Sequence, residues 1–86
     1  MEKLTRIDVE QMIALGGKLN FQNADLSNLD LSNLNLSGAN FAGADLHGVN
    51  FVGSNLTAIN ITNANLTNVK LNGGKLNGTV IEIVFE

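Results

Sequence analysis

His47 is the only histidine in the chain, and Asp45 stands two residues before it. An imidazole beside a carboxylate is the raw material of an acid–base dyad or a metal ligand. Both uses need convergent partners: zinc takes about four ligands, and a general base must lie within hydrogen-bond reach of its proton. The chain has no Cys, so neither a thiolate metal site nor a disulfide framework exists. Ser27, Ser32, Ser37, Thr57, Thr62 and Thr67 carry hydroxyls that would be nucleophiles only next to an activating base, which no pattern supplies. Asp25, Asp30 and Asp45 suggest an acidic patch or a weak calcium site, but calcium asks for about six or more oxygens. Gly73-Gly74 does not sit between a strand and a helix as a phosphate loop does. Glycosylation-type triplets such as those beginning at Asn55, Asn60 and Asn65 follow from the repeat itself, without a secretion signal to give them meaning. The expected catalytic, metal and cofactor sets are therefore all empty.

These residues recur with a period, and the period predicts what positions them. Every fifth residue from Phe21 is large and apolar: Phe21, Leu26, Leu31, Leu36, Phe41, Leu46, Phe51, Leu56, Ile61, Leu66, Leu71 and Leu76, with Ile81 continuing the series. Chance would produce such a run on the order of once in 10⁵ sequences of this composition. A period of five matches neither a helix nor a strand, so the chain must be reset at every unit. The flanking residues say how. Two before each centre the side chain is often small, as at Ala24, Ala39, Ala44, Ser54 and Ala64. One before it stands Asn or Asp, and one after it Ser or Thr is common. Two after it comes Asn or Gly, the residues that accept left-handed dihedrals, as at Asn23, Asn28, Gly43 and Gly48. Each unit reads as a short extended piece followed by a corner.

The motif is undisguised in Ala24-Asp25-Leu26-Ser27-Asn28, Ala39-Asn40-Phe41-Ala42-Gly43, Ala44-Asp45-Leu46-His47-Gly48 and Ala64-Asn65-Leu66-Thr67-Asn68. It resembles the pentapeptide-repeat family over residues 19–83. That resemblance implies an all-β solenoid, a right-handed quadrilateral β-helix with one pentapeptide per side and about three coils, roughly 15 Å tall. Residues twenty apart then stack, giving central columns such as Phe21, Phe41, Ile61 and Ile81. The position two before the centre also points inward, so Leu29, Leu34, Val49, Ile59 and Val69 imply local swelling there.

Solenoid ends expose apolar surface and unpaired backbone. Thr5 and Asp8 form a capping box, Leu4 and Val9 a hydrophobic staple, and Gly16-Gly17 a stop. With Val9, Met12, Ile13 and Leu15 on a helical spacing, residues 1–18 are expected to be a short helix and link. It is similar to the helix that family members place over the first coil. Residues 79–86 read as a β-strand with no comparable cover. Leu76, Ile81, Ile83 and Phe85 are the candidate interface of a homodimer built about a twofold axis, the alternative being a strand that covers its own coil.

A net charge of −3 points to no nucleic-acid partner. No apolar run reaches membrane-spanning length. Residues 1–17 carry three acidic residues and no continuous apolar stretch, so they are no signal peptide, and the cytoplasm is the expected location. The expected function is a non-enzymatic structural or protein-interaction module. The alternative, by resemblance, is a DNA-mimicking regulator of an enzyme such as gyrase. Against it, residues 19–78 hold three Asp against two Lys, a nearly neutral and short rod.

Overall fold

The computed structural model describes residues 3–71. From Asn20 onward the chain winds with a repeat of twenty residues. Parallel bridges join Asn20 to Asn40, Asp25 to Asp45, Asp30 to Asn50 and Asn35 to Asn55, and the same register continues from Asn40 to Asn60, Asp45 to Asn65 and Asn50 to Lys70. Since the motif is five residues long, each coil has four sides. Each side pairs at a single bridge rather than along a strand, because a turn follows at once.

The turns explain the Asn and Gly preference. Asn23, Asn28, Asn33, Gly38, Gly43, Gly48, Gly53, Ala58, Asn63 and Asn68 all have positive φ, between 58° and 76°. The N–H of the next residue donates back across the corner, as from Ala24 to Phe21 O at 3.0 Å and from Ala44 to Phe41 O at 2.9 Å. Positive φ in the third place of such a turn is the mark of type II. Ala58 is the one member of the series with neither the freedom of Gly nor the tolerance of Asn.

Within one unit every backbone N–H has a named acceptor. Ala39 donates to Leu36 O (3.0 Å), Asn40 to Leu19 O (2.8 Å), Phe41 to Asn60 O (2.7 Å), Ala42 to Asn40 Oδ1 (2.9 Å) and Gly43 to Thr62 O (2.7 Å). A complete account of this kind leaves no room for a residue without an N–H, and the chain contains no Pro.

The centres fill the interior. Phe21, Leu26, Leu31, Leu36, Phe41, Leu46, Phe51, Leu56 and Ile61 are all buried. Phe21 and Phe41 stack with ring centroids 5.1 Å apart, and Phe41 meets Phe51 across the core edge-on at 5.8 Å. Leu66 and Leu71 depart from the expected interior set, at 36% and 39% exposed. The residue twenty after Leu66 is Glu86, so that apolar column runs out. Val49 and Ile59, large for the position two before the centre, are nonetheless buried, while Leu29, Leu34 and Val69 are partly buried against the core.

The helix α1, Arg6–Leu15, begins at the expected capping box. Asp8 N–H donates to Thr5 Oγ1 at 3.2 Å, and Thr5 N–H donates to Asp8 Oδ2 at 2.9 Å. Gly16 ends it with φ 71°. Val9 is fully buried, and Leu4, Met12 and Ile13 pack against the same core. Leu15 does not join them: it is 85% exposed. At about 100° per residue it falls some 120° away from the Val9 direction, off the stripe that Met12 and Ile13 define. Ile7, outside that stripe as well, is 64% exposed.

Candidate functional site

The polar residue before each centre is where chemistry would have to start, and the structure shows it employed in folding. In ten successive units, from Asn20 to Asn65, the side-chain Oδ1 accepts the backbone N–H two residues on, at 2.9–3.2 Å. That N–H lies at the start of the corner, where no neighbouring coil reaches it, so Asn or Asp satisfies it locally. Ser27, Ser32, Thr57, Thr62 and Thr67 add a hydroxyl donor to the same oxygen, at 2.6–2.7 Å. The repeat's preference for a hydroxyl after the centre thus has a mechanism.

Asp45 is occupied in the same way. Its Oδ1 accepts from the backbone N–H of His47 at 3.1 Å. Their link is a turn, with the carboxylate serving the main chain. The Ser27 hydroxyl, its backbone N–H and the nearby Lys3 together hold the Asp25 carboxyl below its ordinary value. The Ser32 hydroxyl, its backbone N–H and Arg6 do the same for Asp30. A carboxylate so stabilised is a weak base, which leaves Ser27 and Ser32 as donors rather than activated nucleophiles. Among the described residues no group of three or more His, Asp or Glu converges as metal ligands. Asp25 and Asp45 are bridge partners in adjacent coils, as their spacing predicts, and the groups that meet Asp25 are Lys3 and Ser27. Leu76, Ile81, Ile83 and Phe85, together with Gly73-Gly74, lie outside the described residues.

Two features escaped the sequence reading. Ser54 is fully buried. Its hydroxyl donates to Leu31 O and accepts the Leu34 N–H at 3.1 Å, so it is inserted into the corner of the coil before it. The consensus asks for a small residue there, and nothing local distinguishes a hydroxyl from the methyl of Ala.

The second is the N-terminal segment. Lys3 bridges Asp25 in parallel, and Leu4 N–H donates to Asp25 O at 3.0 Å. The Lys3 ammonium reaches Ser27 O, Ser27 Oγ (3.0 Å) and the Asp25 carboxylate (3.8 Å). Arg6 Nη1 donates to Asp30 O at 2.8 Å and faces Asp30 Oδ1 at 3.5 Å. Further along, Ile13, Gly17, Leu19, Asn35 and Ser37 line a shallow open cleft between α1 and the first coil. Among the described residues no helix is long and apolar enough to cross a membrane.

The family model for pentapeptide repeats matches residues 20–57 and 53–81, with eight copies. Among solved structures, a pentapeptide repeat protein, Rfr23, from the cyanobacterium Cyanothece 51142 is similar at 32% identity and a TM-score of 0.63. The alignment covers 78% of this chain and 44% of that one, so the chain spans less than half of that protein's length. None of the curated proteins matches.

Proposed function

This chain belongs to the pentapeptide-repeat family, and we propose that it is a non-enzymatic structural and protein-interaction module. In this reading it is a right-handed quadrilateral β-helix of about three coils with α1 over its N-terminal end. It acts in the cytoplasm as a homodimer joined through Leu76, Ile81, Ile83 and Phe85. One observation supports the non-catalytic part: in the ten units from Asn20 to Asn65 the polar side chain accepts its own corner's N–H, so the carboxylates of Asp25, Asp30 and Asp45 serve the backbone. Support for the dimer comes from the sequence, where Ile81, Ile83 and Phe85 alternate with Val80, Glu82 and Val84, the pattern of a strand with one apolar face.

Light scattering tests it. The full chain should show about twice the monomer mass, and Ile83→Lys with Phe85→Lys should return it to monomer. A wild type that stays monomeric at high concentration sinks the dimer and leaves a strand that covers its own coil.

A further inference from the structure

The inward face of α1 is occupied. Val9 is fully buried, and Met12 and Ile13 pack on the same core. The outward face is not. Ile7 and Leu15 are the two most exposed large apolar side chains among the described residues, at 64% and 85%. They do not stand there singly. Ile7, Gln11 and Leu15 follow at intervals of four, which makes them one ridge along the helix. Ala14, also exposed, lies beside that ridge, where its single methyl leaves a groove. Apolar residues on opposite sides of one helix are the pattern of a helix covered on both sides.

The ridge is also symmetric. Ile7 stands four residues before Gln11, and Leu15 four after it. Turned about a twofold axis at Gln11, the ridge meets its own copy with Ile7 against Leu15 and Leu15 against Ile7. Such reciprocity is what an isologous contact demands. That axis sets the two helices antiparallel, and the charges agree. Lys3 and Arg6 stand at the start of α1, whereas its last turn has no basic residue. An antiparallel crossing brings the basic start of each helix beside the other's last turn, the negative pole of the helix dipole. Glu10, which would come near its own copy, already has Arg6 at 3.6 Å within its own chain.

We propose that the outward face of α1 is an interaction surface for the α1 of a second copy of this chain, crossed antiparallel at Gln11. The contact is a single helix face, so it forms in concentrated rather than dilute protein. It lies on α1 alone and involves none of Leu76, Ile81, Ile83 and Phe85, so it is independent of the dimer read on those residues.

The chain has no Cys, so single introduced cysteines report the contact without interference. Gln11→Cys, placed at the axis, should become a disulfide-linked dimer under mild oxidation of concentrated full-length protein. Val52→Cys, exposed on the second coil, should not. Ile7→Cys mixed with Leu15→Cys should give mixed dimers in preference to dimers of either alone, because the crossing sets one against the other. Adding Ile7→Lys and Leu15→Lys to Gln11→Cys should cut the yield about tenfold or more, and Ile7→Ser with Leu15→Ser should lower it in the same direction without new charge. Both side chains are exposed, so the thermal midpoint should hold in each variant. The proposal is overturned if Gln11→Cys links no better than Val52→Cys, if the cysteines at 7 and 15 each link best to themselves, or if the Lys and Ser variants leave the yield unchanged. It is overturned equally if those variants lose the helical signal of α1, since the face would then belong to the fold. Ile83→Lys with Phe85→Lys should leave the Gln11→Cys yield as it is, so failure here and failure of the C-terminal dimer are read separately.

Discussion

The side-chain oxygen of Asn23 occupies the space that a Cβ on Gly43 would need, and Asn28 and Asn33 stand in the same relation to Gly48 and Gly53. Each of these glycines is thus required twice, for its positive φ and for the Asn of the coil before it. Gly38 shares the φ but has nothing within 4 Å of that point. Gly38→Ala should therefore cost about 1–2 kcal/mol, the price of a left-handed L-residue. Gly43→Ala should cost roughly 1 kcal/mol more, because Asn23 must also swing away. Urea denaturation of the two variants, and of Gly43→Ala with Asn23→Gly, checks this. The double variant should recover the excess, and equal losses from the two single variants would contradict the stacking argument.

Ala58 carries the left-handed strain without relief, at φ 58°. Its counterpart in the preceding coil is Gly38, which has no side chain to contest the space, so an Ala is sterically admitted there. Ala58→Gly should raise stability by about 0.5–1 kcal/mol, the lost strain exceeding the added freedom of the unfolded chain. A fall in the thermal midpoint would mean that the Ala methyl is packed usefully.

Buried positions should separate sharply by role. Phe41→Ala removes a ring that touches Phe21 and Phe51, and should cost about 3–5 kcal/mol. Ser54→Ala leaves the Leu34 N–H without its acceptor, which should cost about 1–3 kcal/mol. Ser37→Ala, on the exposed outside, should cost less than about 0.5 kcal/mol. Chemical denaturation that ranks Ser54 with Ser37 would show that the inserted hydroxyl is incidental.

Acid should loosen the N-terminal end first. Asp25 and Asp30 have carboxyls held below their ordinary value in the folded chain, chiefly by the Ser27 and Ser32 hydroxyls. A group depressed on folding contributes stability that is present above its unfolded value, about 3.9, and is lost as the pH falls through its folded value. Thermal midpoints should be flat toward neutrality and drop below about pH 4. Asp25→Asn with Asp30→Asn keeps the corner acceptor, as Asn55 and Asn60 do with Thr57 and Thr62. That variant should lose part of the acid sensitivity, and an unchanged pH profile would place the sensitive groups elsewhere.

The coils were legible in the sequence because each position of the unit meets one environment, so residue type repeats with it. Phe21 over Phe41 and the bridges twenty apart follow from counting alone. Asn23 before Gly43 and Asn28 before Gly48 were also visible at that spacing, but only a structure shows that one side chain needs the other's absence. The N-terminal segment was harder. Leu4 stands twenty-two residues before Leu26, because α1 spans its path with a different rise per residue, and a search at twenty passes over it. Leu15 shows a further limit: it lies within the helix that the spacing predicts, but its angle carries it off the buried face that Val9, Met12 and Ile13 share. Composition alone does not tell a carboxylate facing solvent from one already bonded to its own backbone, as Asp45 is.

The register of twenty makes the molecule resemble a camshaft. Because each five-residue unit satisfies its own corner and leans on its neighbours identically, a unit removed from the middle would leave both backbone ladders able to close again. Everything downstream would be re-phased by about a quarter turn. Lys70, now beneath Asn50 and Asp30, would come round to an adjacent side of the shaft. Length changes in whole coils therefore preserve which residues share a face, while changes in single units redistribute them. Such a chain can acquire a new surface by changing its angular phase, each unit keeping its inward and outward positions while its partners in the column change.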